Sequence, residues 1–91
     1  MGFVWDETKR QSNMRKHGID FEDAVTIFGE RTTMVEDDRF DYGETRYVSV
    51  GIVADQIITV VHTPSGEDIR IISARKARRH EERVFWQSYW D

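Results

Sequence analysis

The 91-residue chain contains no cysteine and only one proline. Without cysteine it can form neither a disulfide framework nor a thiolate metal site, and its three histidines lie far apart in the sequence. No apolar run approaches the length of a membrane span, and the first residues lack the basic and apolar segments of a secretory leader. These absences predict a soluble cytoplasmic domain that binds no metal.

The six glycines occur singly, so the chain has no glycine-rich phosphate-binding loop, and we expect no nucleotide cofactor. Because repeats, proline-rich linkers and low-complexity tracts are missing, residues 1–91 are expected to form one domain. The net charge of −4 argues against a general nucleic-acid binder, whose surface is normally basic. Any contact with an anionic polymer must therefore be local.

Positive charge is concentrated in residues 70–83. This segment contains six lysines and arginines but only two glutamates, which gives it a local charge of +4. Such a cluster favours an anionic partner such as a phosphodiester. The alternative is a solvated helix whose charges pair along its own surface.

Capping and turn residues divide the chain into eight elements. Phe3-Val4-Trp5 predicts a strand, and Asp6 and Asp20 are suited to cap two helices that end at Gly18 and Gly29. The helices are predicted at 7–17 and 21–28, four strands at 32–36, 45–53, 57–63 and 68–74, and a final helix at 76–89. The expected fold class is α+β, in the order β-α-α-β-β-β-β-α, with a small antiparallel sheet, the N-terminal helices on one face and a C-terminal helix.

The final helix carries more aromatic side chains than one core can bury. On a helical projection Ala77 and Val84 point toward the sheet, while Trp86 and Trp90 lie roughly opposite. We therefore expect Trp86, Tyr89 and Trp90 to form an interface with a second copy or another protein. The alternative is that the end of the helix folds back onto its own domain.

A set of short motifs extends in order along nearly the whole chain: Trp5-Asp6, Lys9, Asn13, Lys16-His17-Gly18, Phe21, Ala24, Phe28, Arg39, Gly43-Glu44, Arg46, Gly51, Arg70-Ile71-Ile72-Ser73-Ala74-Arg75, Ala77 and Glu82-Arg83. Together these motifs resemble the BrnT toxin family. The resemblance implies a type II toxin with a RelE-like fold, a ribonuclease that arrests translation. It also implies neutralisation by a BrnA antitoxin, a DNA-binding dimer that represses the operon together with the toxin.

RNA cleavage without metal needs a base for the ribose 2′-OH, cations for the charge on phosphate and an acid for the leaving oxygen. Arg46, Arg70 and Arg75 are the candidate cations, because guanidinium groups bind phosphate oxygens in pairs. His62 is the candidate acid or base, as the only histidine on a predicted strand. Glu81 or Glu82 is an alternative base, although either glutamate has a simpler role in ion pairs with Arg78 or Arg79.

Strand register limits which of these candidates can meet. If the two turns after residues 53 and 64 have two-residue loops, Arg46 and Arg70 share one face of the sheet, whereas His62 and Arg75 share the other. A one-residue bulge would bring His62 and Arg70 together. Outside this group, the expected RNA contacts are Lys9, Lys16, Arg78 and Arg79, with simple solvation as the alternative for the two lysines.

Two function classes remain open. The first is an endoribonuclease, which the arginines and the resemblance favour. The second is a non-enzymatic module that binds a partner through its aromatic helix, which the acidic net charge favours. Activity on bare RNA distinguishes the two classes.

Overall fold

The computed structural model describes residues 2–90, which form a five-stranded sheet with helices on both faces. The strands are β1 (Phe3–Val4), β2 (Thr33–Asp37), β3 (Arg46–Val53), β4 (Gln56–Ser65) and β5 (Asp68–Lys76). The helices are α1 (Glu7–His17), α2 (Phe21–Ala24), which continues into a 3-10 turn (Val25–Gly29), and α3 (Arg79–Trp90). The predicted α+β class and the C-terminal helix are confirmed.

The sheet is mixed, which corrects the expectation of an antiparallel sheet. Its strand order is β1-β5-β4-β3-β2, and β2 to β5 form an antiparallel meander. β1 runs parallel to β5, with Phe3 opposite Ile69. Local turns set the direction of the meander strands, whereas β1 is separated from β5 by most of the chain, so no turn signal in the sequence fixes its direction.

Helix α1 has the bounds that its capping residues predict. The Asp6 carboxylate accepts a hydrogen bond from the Lys9 N–H (3.1 Å), and Gly18 ends the helix with a φ of 71°. Asn13 is buried, and its amide donates to the Ala74 carbonyl (2.8 Å) and accepts from the Ala74 N–H (3.1 Å). Helix α1 has few apolar side chains, and these two hydrogen bonds attach it to the outer side of β5.

A hydrophobic core lies on each face of the sheet. On one face, which we call the α2 face, Phe21 and Ile27 pack against β4 and β5. On the other, which we call the α3 face, the buried Phe85 packs against Val50 and Ile57. The sheet is therefore the middle layer of the molecule, and each of its faces presents a different set of side chains.

The orientation of α3 differs from the helical projection made from the sequence. Phe85 and Tyr89 pack against the α3 face, whereas Val84, which was expected to face the sheet, is 52% exposed. Helix α3 begins only at Arg79, because the preceding strand is longer than predicted. Ala77 therefore lies before the helix, and its position does not show which face of α3 is turned toward the sheet.

A β-bulge interrupts the pairing of β4 with β5. Val61 lies opposite Ser73, but the next residue, His62, lies opposite Ile71. Ile72 is thus an additional residue on β5. Side chains that follow Ile72 lie on the face opposite to the one that strict alternation predicts.

Candidate functional site

The bulge brings Arg70 and Arg75 to the same face of the sheet. Arg70 lies opposite Thr63 and Arg75 lies opposite Thr59. These two threonines are four residues apart on β4 and share the α3 face. The prediction that Arg75 lies on the face opposite Arg70 is therefore wrong, because strict alternation does not hold across Ile72.

Arg46 and Arg70 are held by one carboxylate on this face. Glu44 accepts hydrogen bonds from Arg46 Nε (3.0 Å) and from Arg70 Nη2 (2.7 Å), one on each oxygen. The Arg46 guanidinium also lies 4.2 Å from the centre of the Tyr42 ring. The pKa of Glu44 is lowered, chiefly because Arg46 donates a hydrogen bond to it. Glu44 is thus ionised at neutral pH and holds the two guanidinium groups side by side.

Arg75 forms a second ion-paired group with Glu81. The carboxylate accepts two hydrogen bonds from Arg75 (2.7 and 3.0 Å), one from the Thr59 hydroxyl (3.1 Å) and one from the Arg78 N–H (2.8 Å). Burial acts to raise the pKa of Glu81, but these hydrogen bonds outweigh it and lower the pKa to about 2. Glu81 therefore orients Arg75 and caps the start of α3. Its ion-pair partner is Arg75 and not Arg78 or Arg79.

The three arginines do not converge on one point. Their cross-strand partners Thr59 and Thr63 are four residues apart, which corresponds to about 13 Å along a strand. Arg46 and Arg70 occupy one end of this span, and Arg75 occupies the other. Two cationic positions at this separation suit a polyanion, whose charges are spaced along a chain, better than a single small anion.

An open groove of about 320 Å³ lies on the α3 face between β2 and α3. Arg75, Arg78 and His80 line its α3 side. On the β2 side, the buried Asp37 accepts a hydrogen bond from Arg39 Nε (2.9 Å), and this bond is the chief reason why the pKa of Asp37 is lowered. The groove therefore presents both cations and carboxylates, together with one histidine, to any ligand that enters it.

His62 lies on the α2 face and does not meet the arginines. It is buried, its Nε2 is 2.7 Å from Ser49 Oγ, and its ring packs edge-on against Phe28 with 4.9 Å between centroids. Burial lowers the pKa of His62, so the imidazole is neutral at pH 7. The expectation that a bulge would bring His62 and Arg70 together is wrong. The extra residue lies on β5 and places Arg75, not His62, on the same face as Arg70.

The remaining predicted RNA contacts are dispersed over the surface. Lys9 and Lys16 are exposed on α1 and do not line the groove. Arg78 lines the groove, and Arg79 is exposed at the start of α3. None of the four forms an ion pair within residues 2–90.

The aromatic residues expected to form an interface fall into two groups. Tyr89 is half-buried against Phe85, and the Arg31 guanidinium lies 5.3 Å from its ring centre. Trp86 and Trp90 are 37% and 75% exposed and stack on each other, with 6.2 Å between centroids and 18° between ring planes. The two tryptophans are thus available to a ligand, whereas Tyr89 is largely committed to the fold.

Glu44 and Glu81 orient the arginines of the site, a role that the sequence did not predict for either carboxylate. Glu81 stands three residues after Arg78, the spacing of a capping box, so a local signal for its backbone contact exists. Glu44 pairs with an arginine 26 positions away, which no local spacing indicates.

Among residues 2–90, no helix is both long and apolar enough to cross a membrane, and no group of three or more His, Cys, Asp or Glu side chains is placed to hold a metal ion. A search of curated proteins returned no match. A family model described as the ribonuclease toxin BrnT of a type II toxin-antitoxin system matches residues 5–81, a range that contains Glu44 and the three arginines. The chain therefore belongs to the BrnT family of type II toxin-antitoxin ribonucleases.

Proposed function

We propose that this protein is a toxin that inhibits translation by cleaving RNA without a metal ion. The observation that carries the proposal is the pair formed by Arg46 and Arg70 around Glu44 on the α3 face. Each guanidinium can bind a phosphate through two parallel hydrogen bonds. Two of them side by side can stabilise the negative charge that builds on phosphate during cleavage. Family membership supports RNA as the substrate.

The reaction we propose uses the ribose 2′-OH as the nucleophile. Its oxygen forms a bond to the adjacent phosphorus and the bond to the 5′-oxygen breaks. The departing 5′-oxygen takes a proton from solvent water, which leaves a 2′,3′-cyclic phosphate and a 5′-hydroxyl. We assign Glu44 as the acceptor of the 2′-OH proton, because it contacts both arginines. When these arginines turn to the phosphate they stop donating to Glu44, and its pKa rises toward the ordinary value.

The second cationic group extends the binding surface. We propose that Arg75 and Arg78 contact phosphates beyond the cleaved bond, since both line the groove on the same face. A longer RNA that continues past β5 meets the exposed Lys9 and Lys16 of α1. His62 has no part in this proposal because it is buried on the opposite face.

We further propose a RelE-like fold and neutralisation by a BrnA-like antitoxin. Membership of a type II toxin-antitoxin family implies an antitoxin partner and supports this choice. The second candidate function is a non-enzymatic interaction module, which the exposed Trp86 and Trp90 favour. Cleavage of purified RNA by the purified chain distinguishes the two functions.

The test replaces Arg46 and Arg70 singly by alanine. Each variant should cleave a fluorescent RNA about 100-fold more slowly, because each removes a cation that stabilises the transition state. Lysine at either position should restore only part of the rate. Cleavage should persist in the presence of a chelator, and thermal unfolding should change little.

Arg15→Ala is the matched control, because this arginine is exposed on α1 and makes no ion pair within residues 2–90. Wild-type cleavage rates in both the Arg46→Ala and Arg70→Ala variants would show that the proposed site is wrong. Cleavage that a chelator abolishes would reject the metal-independent reaction.

A further inference from the structure

One side of α3 carries two arginines and two tryptophans that the proposed site does not use. Arg79, Arg83, Trp86 and Trp90 are spaced by four, three and four residues. At about 100° per residue this spacing places them within about 60° of one another on the helix. All four are exposed, whereas Phe85 projects to the sheet from a different side. We call these four residues the α3 stripe.

The N-terminal half of the α3 stripe is cationic. Within residues 2–90, neither Arg79 nor Arg83 has an ion-pair partner, in contrast to Arg46, Arg70 and Arg75, which all contact carboxylates. Two unpaired arginines one helical turn apart on an otherwise acidic chain are complementary to an anionic ligand. The same charge disfavours a basic protein partner at this surface.

The C-terminal half of the α3 stripe offers aromatic faces. The Trp86 and Trp90 rings lie nearly parallel, and Trp90 is 75% exposed. Nucleic-acid bases stack on such rings whatever their sequence, because every base has a π-face. Cationic groups followed by exposed aromatic rings are the combination by which proteins bind single strands.

Building on the proposed function, we propose that the α3 stripe binds single-stranded RNA. In this arrangement Arg79 and Arg83 contact phosphates, while Trp86 and Trp90 stack on bases. Arg79 directly follows Arg78 of the groove, so a strand can pass from the groove onto the α3 stripe, which is about 16 Å long. The α3 stripe thus holds RNA that flanks the cleaved bond and takes no part in the chemistry.

The test measures binding of an octamer of 2′-O-methyl uridine, which lacks the nucleophilic hydroxyl and cannot be cleaved. Trp86→Leu and Trp90→Leu should each weaken binding roughly fivefold or more, because each removes one base stack. Trp90→Phe should retain most of the affinity. The control is Phe40→Leu, since Phe40 is an aromatic residue outside the α3 stripe and is 66% exposed.

The arginines are tested by salt dependence. Arg83→Gln should reduce the slope of log affinity against log salt by about 0.7, the value for one lost phosphate contact on a single strand. Arg15→Gln on α1 should leave the slope unchanged. An unchanged slope in Arg83→Gln would remove the phosphate contact from the proposal.

Unchanged octamer affinity in a folded Trp90→Leu variant would overturn the proposal. If the same variant instead alters sedimentation of the chain, the tryptophans form a protein interface and the proposal fails in that way. Cleavage of unmodified RNA is scored separately. A wild-type chain that binds the octamer through the α3 stripe but cleaves no RNA would reject the proposed function and leave RNA binding by the α3 stripe intact.

Discussion

Glu81 couples the stability of the fold to pH through its four hydrogen bonds. Its pKa is about 2, below the ordinary value of 4.5. A carboxyl group with a depressed folded-state pKa stabilises the fold above its unfolded-state pKa, and that stabilisation is lost as the pH falls through the folded-state value. The contribution of Glu81 is therefore present at neutral pH and disappears between about pH 4.5 and about pH 2.

We expect Glu81→Gln to lower the unfolding free energy at pH 6 by on the order of 2 kcal/mol, less than the full pKa shift implies because the carboxylate is partly exposed. Toward pH 2.5 the difference from wild type should shrink, because below about pH 4.5 the Glu81 carboxyl binds a proton in the unfolded chain before it does so in the folded one. Urea denaturation at several pH values measures this difference. Glu67→Gln, at an exposed turn, is the control. A difference that does not vary with pH would contradict the assignment.

His62 should affect stability at mildly acidic pH and not catalysis. Its folded-state pKa is lowered by burial, so the unfolded chain binds the proton more readily below the ordinary value of 6.5. Stability should therefore fall as the pH drops below about 6.5. We expect His62→Gln to abolish this part of the pH dependence and to cleave RNA within about twofold of wild type. A large loss of cleavage in the folded variant would return His62 to the catalytic site.

Among the elements, those that local chemistry defines were predictable from the sequence. Asp6 and Gly18 bound α1 because capping involves residues at the helix ends. Ala54 and Asp55 have φ values of 48° and 65°, which fits a two-residue turn between β3 and β4. The parallel pairing of β1 depends on a contact between distant segments, and no short motif indicates it.

The same distinction applies to the candidate site. Alternation along the strands correctly places Arg46 and Arg70 on one face. It fails for Arg75, because the bulge at Ile72 has no residue signature in the sequence. The carboxylates that hold the arginines are fixed by tertiary contacts, so the sequence indicates the cations but not the partners that orient them.

The junction of the 3-10 turn with β3 depends on a glycine. A Cβ at Gly51 would lie 2.7 Å from Ile27 Cβ, and both residues are buried. We expect Gly51→Ala to cost about 1–3 kcal/mol of unfolding free energy, because the two elements must move apart. Gly29→Ala is the matched control, since a Cβ there meets nothing within 4 Å. Equal melting temperatures for the two variants would contradict this packing.

At the scale of the whole molecule, the surfaces proposed to bind RNA carry local positive charge although the net charge is negative. The chain carries −4, yet within residues 2–90 Arg78 at the groove and Arg79 and Arg83 of the α3 stripe form no ion pair. We expect the protein to arrest growth when it is expressed in a bacterial host without its partner, and Arg46→Ala to relieve the arrest. Growth curves after induction measure this effect. Normal growth with accumulation of folded wild-type protein would contradict the toxin function.

Because of the extra residue in β5, the number of residues between Arg70 and Arg75 constrains the sequence as strongly as the types of those residues do. Arg70 and Arg75 are five positions apart, a spacing that would place them on opposite faces of a regular strand. They share a face because Ile72 is an extra residue that has no partner on β4. Insertion or deletion of one residue between them would move each side chain of the segment that leads into α3 to the opposite face of the sheet. Insertion of two residues would leave each side chain on its present face. Related toxins should therefore tolerate changes of residue type between these arginines more readily than a change of one in their spacing.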